Sequence, residues 1–242
     1  MVWEGWSIAR TPSPALAAKR PDCAKVVRDP ICWRAINFMA TQSETVLWEV
    51  DTQRDFMLPG GALYVPGAER LIPNLQKLVD LARANRAFLI SSACQHAPDD
   101  PEFKVFPPHC VRGTPGAQLI PEARTDRLFT VPNDPHFTLP SDLLVYEQVL
   151  LEKQTLDVFR NPHTVRIVER FPSNAEFVIF GVVTEYCVRC AANGLLDRGR
   201  RAAIVVDAIE TLKKEVGQET TAQLAAKGAR LVSTEEVLAQ MQ

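Results

Sequence analysis

Hydrophobic and polar positions fall into two alternating rhythms along this chain. Short apolar runs recur at TVLWEVD (45–51), AFLISSAC (87–94), EFVIFGVV (176–183), AAIVVDA (202–208) and ARLVS (229–233). Runs of this length, rich in β-branched and aromatic residues, predict strands buried on both faces. Between them, Leu71, Leu75, Leu78, Val79, Leu81 and Ala82 recur at helical spacing within 69–86. Val188, Ala191, Ala192, Leu195 and Leu196 do the same, and Gly199 stops that helix. HTVRIVERF (163–171) and EVGQETTAQLAAKG (215–228) predict two more helices, and STEEVLAQM opens on a capping-box pattern from Ser233 to Glu236. DLLVYEQVLLEK (142–153) reads as β-type with a break near Glu147–Gln148.

Strands alternating with helices imply right-handed crossovers and an α/β fold, a three-layer α/β/α arrangement around a mainly parallel sheet. Ligands of such sheets bind beyond the carboxyl ends of the strands. That rule selects residues. Asp51 ends the first run, Cys94 and His96 follow the second, Lys153 ends the run at 148–153, and Cys187 follows 176–183. The proline-rich stretch 95–141 is expected to be loop and to form part of the site wall.

Composition narrows the function classes. The chain has 242 residues, 46% hydrophobic and 23% charged, which suits a globular protein with a sizeable core. A net charge of −2 leaves no basic field for nucleic acid. No run reaches the ~20 apolar residues that span a bilayer, so no membrane partner is expected. Six cysteines are sparse for this length and fit free thiols in a reducing cytoplasm rather than a disulfide scaffold. The first 38 residues hold six Lys+Arg against three acids, with four prolines and three of the four tryptophans. Residues 1–38 are therefore expected to be a poorly ordered extension and 39–242 the domain.

The candidate chemistry centres on C-V-R-C, Cys187 to Cys190. The motif reads either as a redox dithiol or as a lone nucleophile followed by a packing cysteine. A thiol at a helix N-terminus suits both. A redox pair has no use for an acid and a lysine on neighbouring strand ends, whereas a nucleophile attacking an amide needs a base and oxyanion donors. Asp51 and Lys153 stand where the first need would be met. Lys153 is expected to be buried and charge-paired, and to lower the Cys187 pKa. Asp55 is read as a structural acid of the DTQRDF turn, Cys110 and Cys190 as packing, Trp48 as core, and His136 and His163 as surface residues.

DTQRDF (51–56), FPPHCVRGTPGAQL (106–119), EKQTLDVF (152–159) and GVVTEYCVRCAANGLLDRG (181–199) together resemble the isochorismatase-like cysteine hydrolase superfamily, and within it nicotinamidases and related amidases. The resemblance runs from about Thr45 to the C-terminus. It implies a catalytic Asp51–Lys153–Cys187 triad, a cis peptide between Val182 and Val183, and an oxyanion hole from the N–H groups of Val183 and Cys187. It places Phe56 and Phe106 against the substrate ring. It further implies a divalent metal on His96 and His109 with Glu102 or Asp100. Cys94 stands where the family has an aspartate, and as a thiolate it would favour Zn²⁺. The implied reaction converts nicotinamide to nicotinate and ammonia through a thioester, in NAD metabolism, with a small amide as the only partner besides a second copy in a homo-oligomer. The alternatives are hydrolysis of another amide, carbamoyl or ureido, and a Cys187/Cys190 thiol–disulfide protein.

Overall fold

The structure, a computed structural model, describes residues 44–241. The expected extension at 1–38 lies outside the described residues. In chain order the strands are β1 (Thr45–Val50), β2 (Phe88–Cys94), β3 (Leu128–Val131), β4 (Gln148–Lys153), β5 (Glu176–Val182), β6 (Arg201–Glu210) and β7 (Arg230–Val232). The helices are α1 (Arg54–Met57), α2 (Ile72–Arg83), α3 (Thr164–Val168), α4 (Arg189–Leu196), α5 (Lys214–Ala226) and α6 (Thr234–Gln240).

All seven strands run parallel, in the order β3-β4-β2-β1-β5-β6-β7. β1 is central because its residues suit burial on both sides. Val46, Trp48 and Val50 enter one core, with Ile167 of α3, Ala191 and Leu195 of α4 and Leu224 of α5. Leu47 enters the other, with Leu75, Leu78 and Val79 of α2 and Val237 of α6. Each fully buried leucine of α2 contributes roughly 1.5–3 kcal/mol, which fixes that helix against the sheet. The capping box of α6 forms as its sequence predicts, with Ser233 Oγ accepting from the Glu236 N–H and Glu236 accepting from the Ser233 N–H.

Two elements differ from the sequence reading. β3, LFTV, is an edge strand inside the stretch expected to be loop; it is four residues long and only Val131 is buried, so its apolar signal is weak. Residues 143–145 form a single tight helical turn instead of β-structure, and the strand begins at Gln148, just after the expected break.

The winding of the chain reverses beside β1: β2, β4 and β3 lie on one side of it, β5, β6 and β7 on the other. Such a reversal opens a crevice at the carboxyl ends of the strands. Close approach of β5 to β1 there requires glycine. Gly181 has φ +114°, and a Cβ on it would run into the Val50 carbonyl. Among the described residues no helix is long and apolar enough to cross a membrane.

Candidate active site

The strand ends deliver their side chains to one point. β1 stops at Asp51, which takes a left-handed φ of 51°. Its N–H donates to Ser92 O (3.0 Å), and Ser92 Oγ donates to its Oδ1 (3.0 Å). Cys94 and Lys153 end β2 and β4 and are direct register partners, so their side chains leave the sheet together. Lys153 Nζ lies 2.8 Å from Asp51 Oδ2, 3.1 Å from Cys94 Sγ and 3.4 Å from Cys187 Sγ, and donates also to Thr155 O at 3.1 Å. Asp51 and Lys153 are each 1% exposed.

Cys187 arrives on a wide turn between β5 and α4. The Val182–Val183 peptide is cis, as expected. The Val183 carbonyl accepts from the N–H groups of Tyr186 (3.1 Å) and Val188 (3.2 Å). Glu185 ties the turn to the segment after β6 by accepting from Leu212 N–H (3.0 Å), Lys213 N–H (3.3 Å) and Thr211 Oγ (2.6 Å). Burial pushes the Cys187 thiol well up, the Asp51 charge adds to that, and Lys153 only opposes it. The expected lowering by Lys153 therefore exists as one contribution but loses to desolvation. Burial also works against the Lys153 ammonium, yet Asp51 and the two sulfurs outweigh it and hold its pKa well above the ordinary value. The resting arrangement is an ammonium–carboxylate pair beside a protonated thiol.

Above these groups lies a cavity of about 100 Å³. Cys187, Cys94 and Val183 form its reactive end, Phe56, Phe106 and Tyr186 supply aromatic walls, and Glu102 and His109 line it as well. The structure thus brings Phe56 and Phe106 to the cavity wall.

The remaining expected ligands also converge. Cys94, His96 and His109 offer ligand atoms within 4.8 Å of one another, as do His96, Asp100 and Glu102. His96 is fully buried; its Nδ1 lies 3.0 Å from Asp100 Oδ2 without hydrogen-bond alignment, and its Nε2 has no partner. His109 Nδ1–H donates to Pro107 O (2.8 Å), leaving the Nε2 lone pair free, and burial holds its pKa below the ordinary value. Two buried imidazoles beside carboxylates, His96 without a hydrogen-bond partner on either ring nitrogen, fit a divalent cation. Cys94 fits less well as it stands. A ligating cysteine must be a thiolate, and burial pushes its thiol up to about 12.

Sequence reasoning passed over two positioning groups. Gln53, fully buried, clamps the end of β2: its Oε1 accepts from the Cys94 N–H, and its Nε2 donates to Cys94 O and Ala117 O, all at 2.7 Å. Its only trace in the sequence was an amide side chain two residues after Asp51 in DTQRDF. Glu185 had none beyond its place in the turn. Asp55 behaves as expected: it accepts from the N–H groups of Cys110 (2.7 Å) and Ala62 (3.1 Å), fixing the loop that carries His109. Trp48 and Cys110 are core, Cys190 is half-buried outside the cavity, and His136 is exposed. His163 is a correction. It is buried, with its Nε2 2.7 Å from Asp134 O, because the segment after β3 folds over it.

The chain is similar in sequence and fold to known proteins. The nicotinamidase of Escherichia coli strain K12 is 24% identical over 178 residues, covering 65% of this chain and 79% of that protein. The crystal structure of a pyrazinamidase from Pyrococcus horikoshii in complex with zinc superposes with a TM-score of 0.61 at 26% identity, covering 78% of this chain and 99% of that one. An N-carbamoylsarcosine amidase from Thermoplasma acidophilum shares the fold, with a TM-score of 0.60 at 23% identity over 78% of this chain and 96% of that one. The model of the isochorismatase domain matches residues 45–236, and the chain belongs to that family of α/β hydrolases.

Proposed function

We propose that this protein is a cysteine-dependent amidohydrolase acting on a small planar primary amide, with nicotinamide as the leading substrate. One observation carries the reading: a single buried ammonium, Lys153, is hydrogen-bonded at once to Asp51 and to Cys187 at the floor of a small aromatic cavity.

The chemistry follows from the charges. The Cys187 thiol is protonated at rest, so its nucleophile is made only when a carbonyl carbon is in reach. Asp51 accepts the thiol proton as sulfur attacks, and Lys153 stabilises the sulfur while it carries charge. The oxyanion takes the N–H groups of Val183 and Cys187; losing one such donor typically costs ~10²–10³ in rate. Protonated Asp51 then passes its proton to departing ammonia, leaving a thioester on Cys187. Water, deprotonated by Asp51, attacks the thioester, and the acid leaves with the thiol restored. Phe56 and Phe106 hold the ring flat between them.

His96 would hold Zn²⁺ together with His109 or with Asp100 and Glu102, and Cys94 could join His96 and His109 only by losing its thiol proton. A bound divalent ion would supply a Lewis-acid contact for a substrate lone pair. A carbamoyl or ureido substrate is favoured by one feature: Glu102 lines the cavity with a carboxyl that makes no hydrogen bond among the described residues, and it would accept a ureido N–H. A Cys187/Cys190 dithiol finds no such support, since Cys190 does not line the cavity.

The test is ammonia release from nicotinamide, pyrazinamide, carbamoylated amines and ureido acids, with zinc content measured on the same protein. The reading requires turnover of at least one of these amides and its loss in Cys187→Ala. Full turnover in that variant overturns it.

A further inference from the structure

The side chains that line the cavity grade from sealed to open. Cys94, Cys187, Phe56 and Val65 are all buried. Leu63, Tyr64 and Leu156 are half-buried, and Leu212 is 48% exposed. The last four therefore form the rim. They come from separate segments, after α1, after β4 and after β6. None of them carries a charge, and the single polar group is engaged elsewhere: Tyr64 Oη donates to Glu69 Oε2 (2.5 Å) and accepts from the Gly67 N–H (3.1 Å).

A lone exposed leucine on a loop is ordinary, but Leu212 sits on backbone that is held from two sides. Glu185, buried in the turn that carries Cys187, accepts from the Leu212 and Lys213 N–H groups and from Thr211 Oγ1. Thr184 Oγ1, from the same turn, donates to the Glu210 carbonyl (2.7 Å). The exposed leucine is thus tied to the turn of the sulfur, so the spacing between rim and sulfur is set by the fold.

We propose that Leu212 is a specificity-determining residue, and that the preferred substrate is an aromatic primary amide with a short apolar group opposite its carboxamide. With the carboxamide at Cys187 and the ring between Phe56 and Phe106, the opposite ring position points to the rim. An alkyl group there would cover Leu212 together with Leu63 and Leu156. Nicotinamide would fill the inner part of the cavity and leave Leu212 uncovered. Each CH₂ buried at the rim should raise affinity about fourfold. A hydroxyl in its place would lose its hydration against three leucines and gain no partner. The inference rests on the amidase reading of the site and narrows it.

The test is a binding series on Cys187→Ala, in which turnover does not interfere. Benzamide and its para-methyl, para-ethyl, para-propyl and para-hydroxymethyl derivatives are titrated by calorimetry into Cys187→Ala alone and combined with Leu212→Ala or Leu212→Met. With Leu212 intact, affinity is expected to rise about fourfold per added carbon. The para-hydroxymethyl compound, similar in size to the ethyl one, should bind no better than benzamide. In Leu212→Ala the rise should shrink to less than about twofold across the series, and Leu212→Met, of similar volume, should keep it. With Cys187 restored, KM for the same amides should follow the same order while kcat changes little. A purely structural Leu212 would lower the melting temperature of Leu212→Ala and leave the rise intact, which overturns the proposal. So do a flat series with Leu212 intact and a failure of every member to bind. The expected series together with no hydrolysis of any amide by the protein with Cys187 restored would sink the amidase reading and leave the rim assignment standing.

Discussion

Glu49 and Asp51 occupy the same strand run, both sealed from solvent, and the fold treats them in opposite ways. Asp51 meets an ammonium at 2.8 Å. Glu49 meets only neutral donors, Ser91 Oγ at 2.7 Å and Gln148 Nε2 at 3.3 Å. Burial raises the Glu49 pKa from 4.5 to about 7, with the Ser91 and Thr52 hydrogen bonds and the Arg83 charge only partly offsetting it. The same two neighbouring strands supply both sets of partners. β2 gives Ser91 to one acid and Ser92 to the other, while β4 gives Gln148 from its start and Lys153 from its end. A strand end therefore offers what a strand middle cannot, which is room for a long charged side chain to fold back onto its neighbour. A carboxylate that faces an ammonium can take a proton on demand, whereas one that faces only neutral donors is a structural hydrogen-bonding group.

Breaking the Asp51 side of this comparison should have the largest effect. Asp51→Asn leaves the buried Lys153 ammonium uncompensated, which costs about 3–5 kcal/mol of stability. It also removes the base, so amide turnover should fall by ~10³-fold or more. Thermal unfolding and ammonia release check the two parts separately.

Glu49→Gln should act in the other direction. The folded-state pKa of about 7 exceeds the 4.5 expected when unfolded, so the native state binds the proton more tightly. Stability from this group is full below pH 4.5 and is lost as pH rises through 7, by roughly 3 kcal/mol in total. Glu49→Gln should remove that slope, making the variant more stable than the wild type above pH 8 and no less active. Denaturant titrations across pH measure it; a wild-type slope that persists in the variant contradicts the assignment.

Phe56→Ala or Phe106→Ala should raise KM about tenfold, the loss of one aromatic wall, with a smaller effect on kcat. The smallest effect is expected of Cys190→Ser: less than about twofold in turnover and within ~0.5 kcal/mol in stability. A loss equal to that of Cys187→Ser would restore the dithiol reading.

Much of this could be read from the sequence, and the omissions have physical causes. Six of the seven strands announce themselves as apolar runs; β3 does not, because an edge strand of four residues with one buried side chain needs little hydrophobicity. Asp51, Lys153 and Cys187 were legible because each ends or follows such a run, and a parallel sheet gathers its carboxyl ends. Gln53 and Gln148 were not, since a buried amide is recognisable only by its partners, and those lie 23 residues or more away in sequence. The reversal of His163 from surface to interior has the same origin: its cover, Asp134, arrives from the segment after β3. The net upward shift of the Cys187 thiol was also out of reach, because sequence shows a neighbouring lysine but not the depth at which both are buried.

The central claim is that Cys187 carries the acyl group between two half-reactions. Acid-quenching the protein during turnover of its best amide substrate and mapping the modified peptide by mass tests it directly. The account predicts a mass increase equal to the acyl group, confined to Cys187 and absent in Cys187→Ser. Turnover with no adduct at any cysteine, or an adduct on Cys94 or Cys190 in its place, would contradict it.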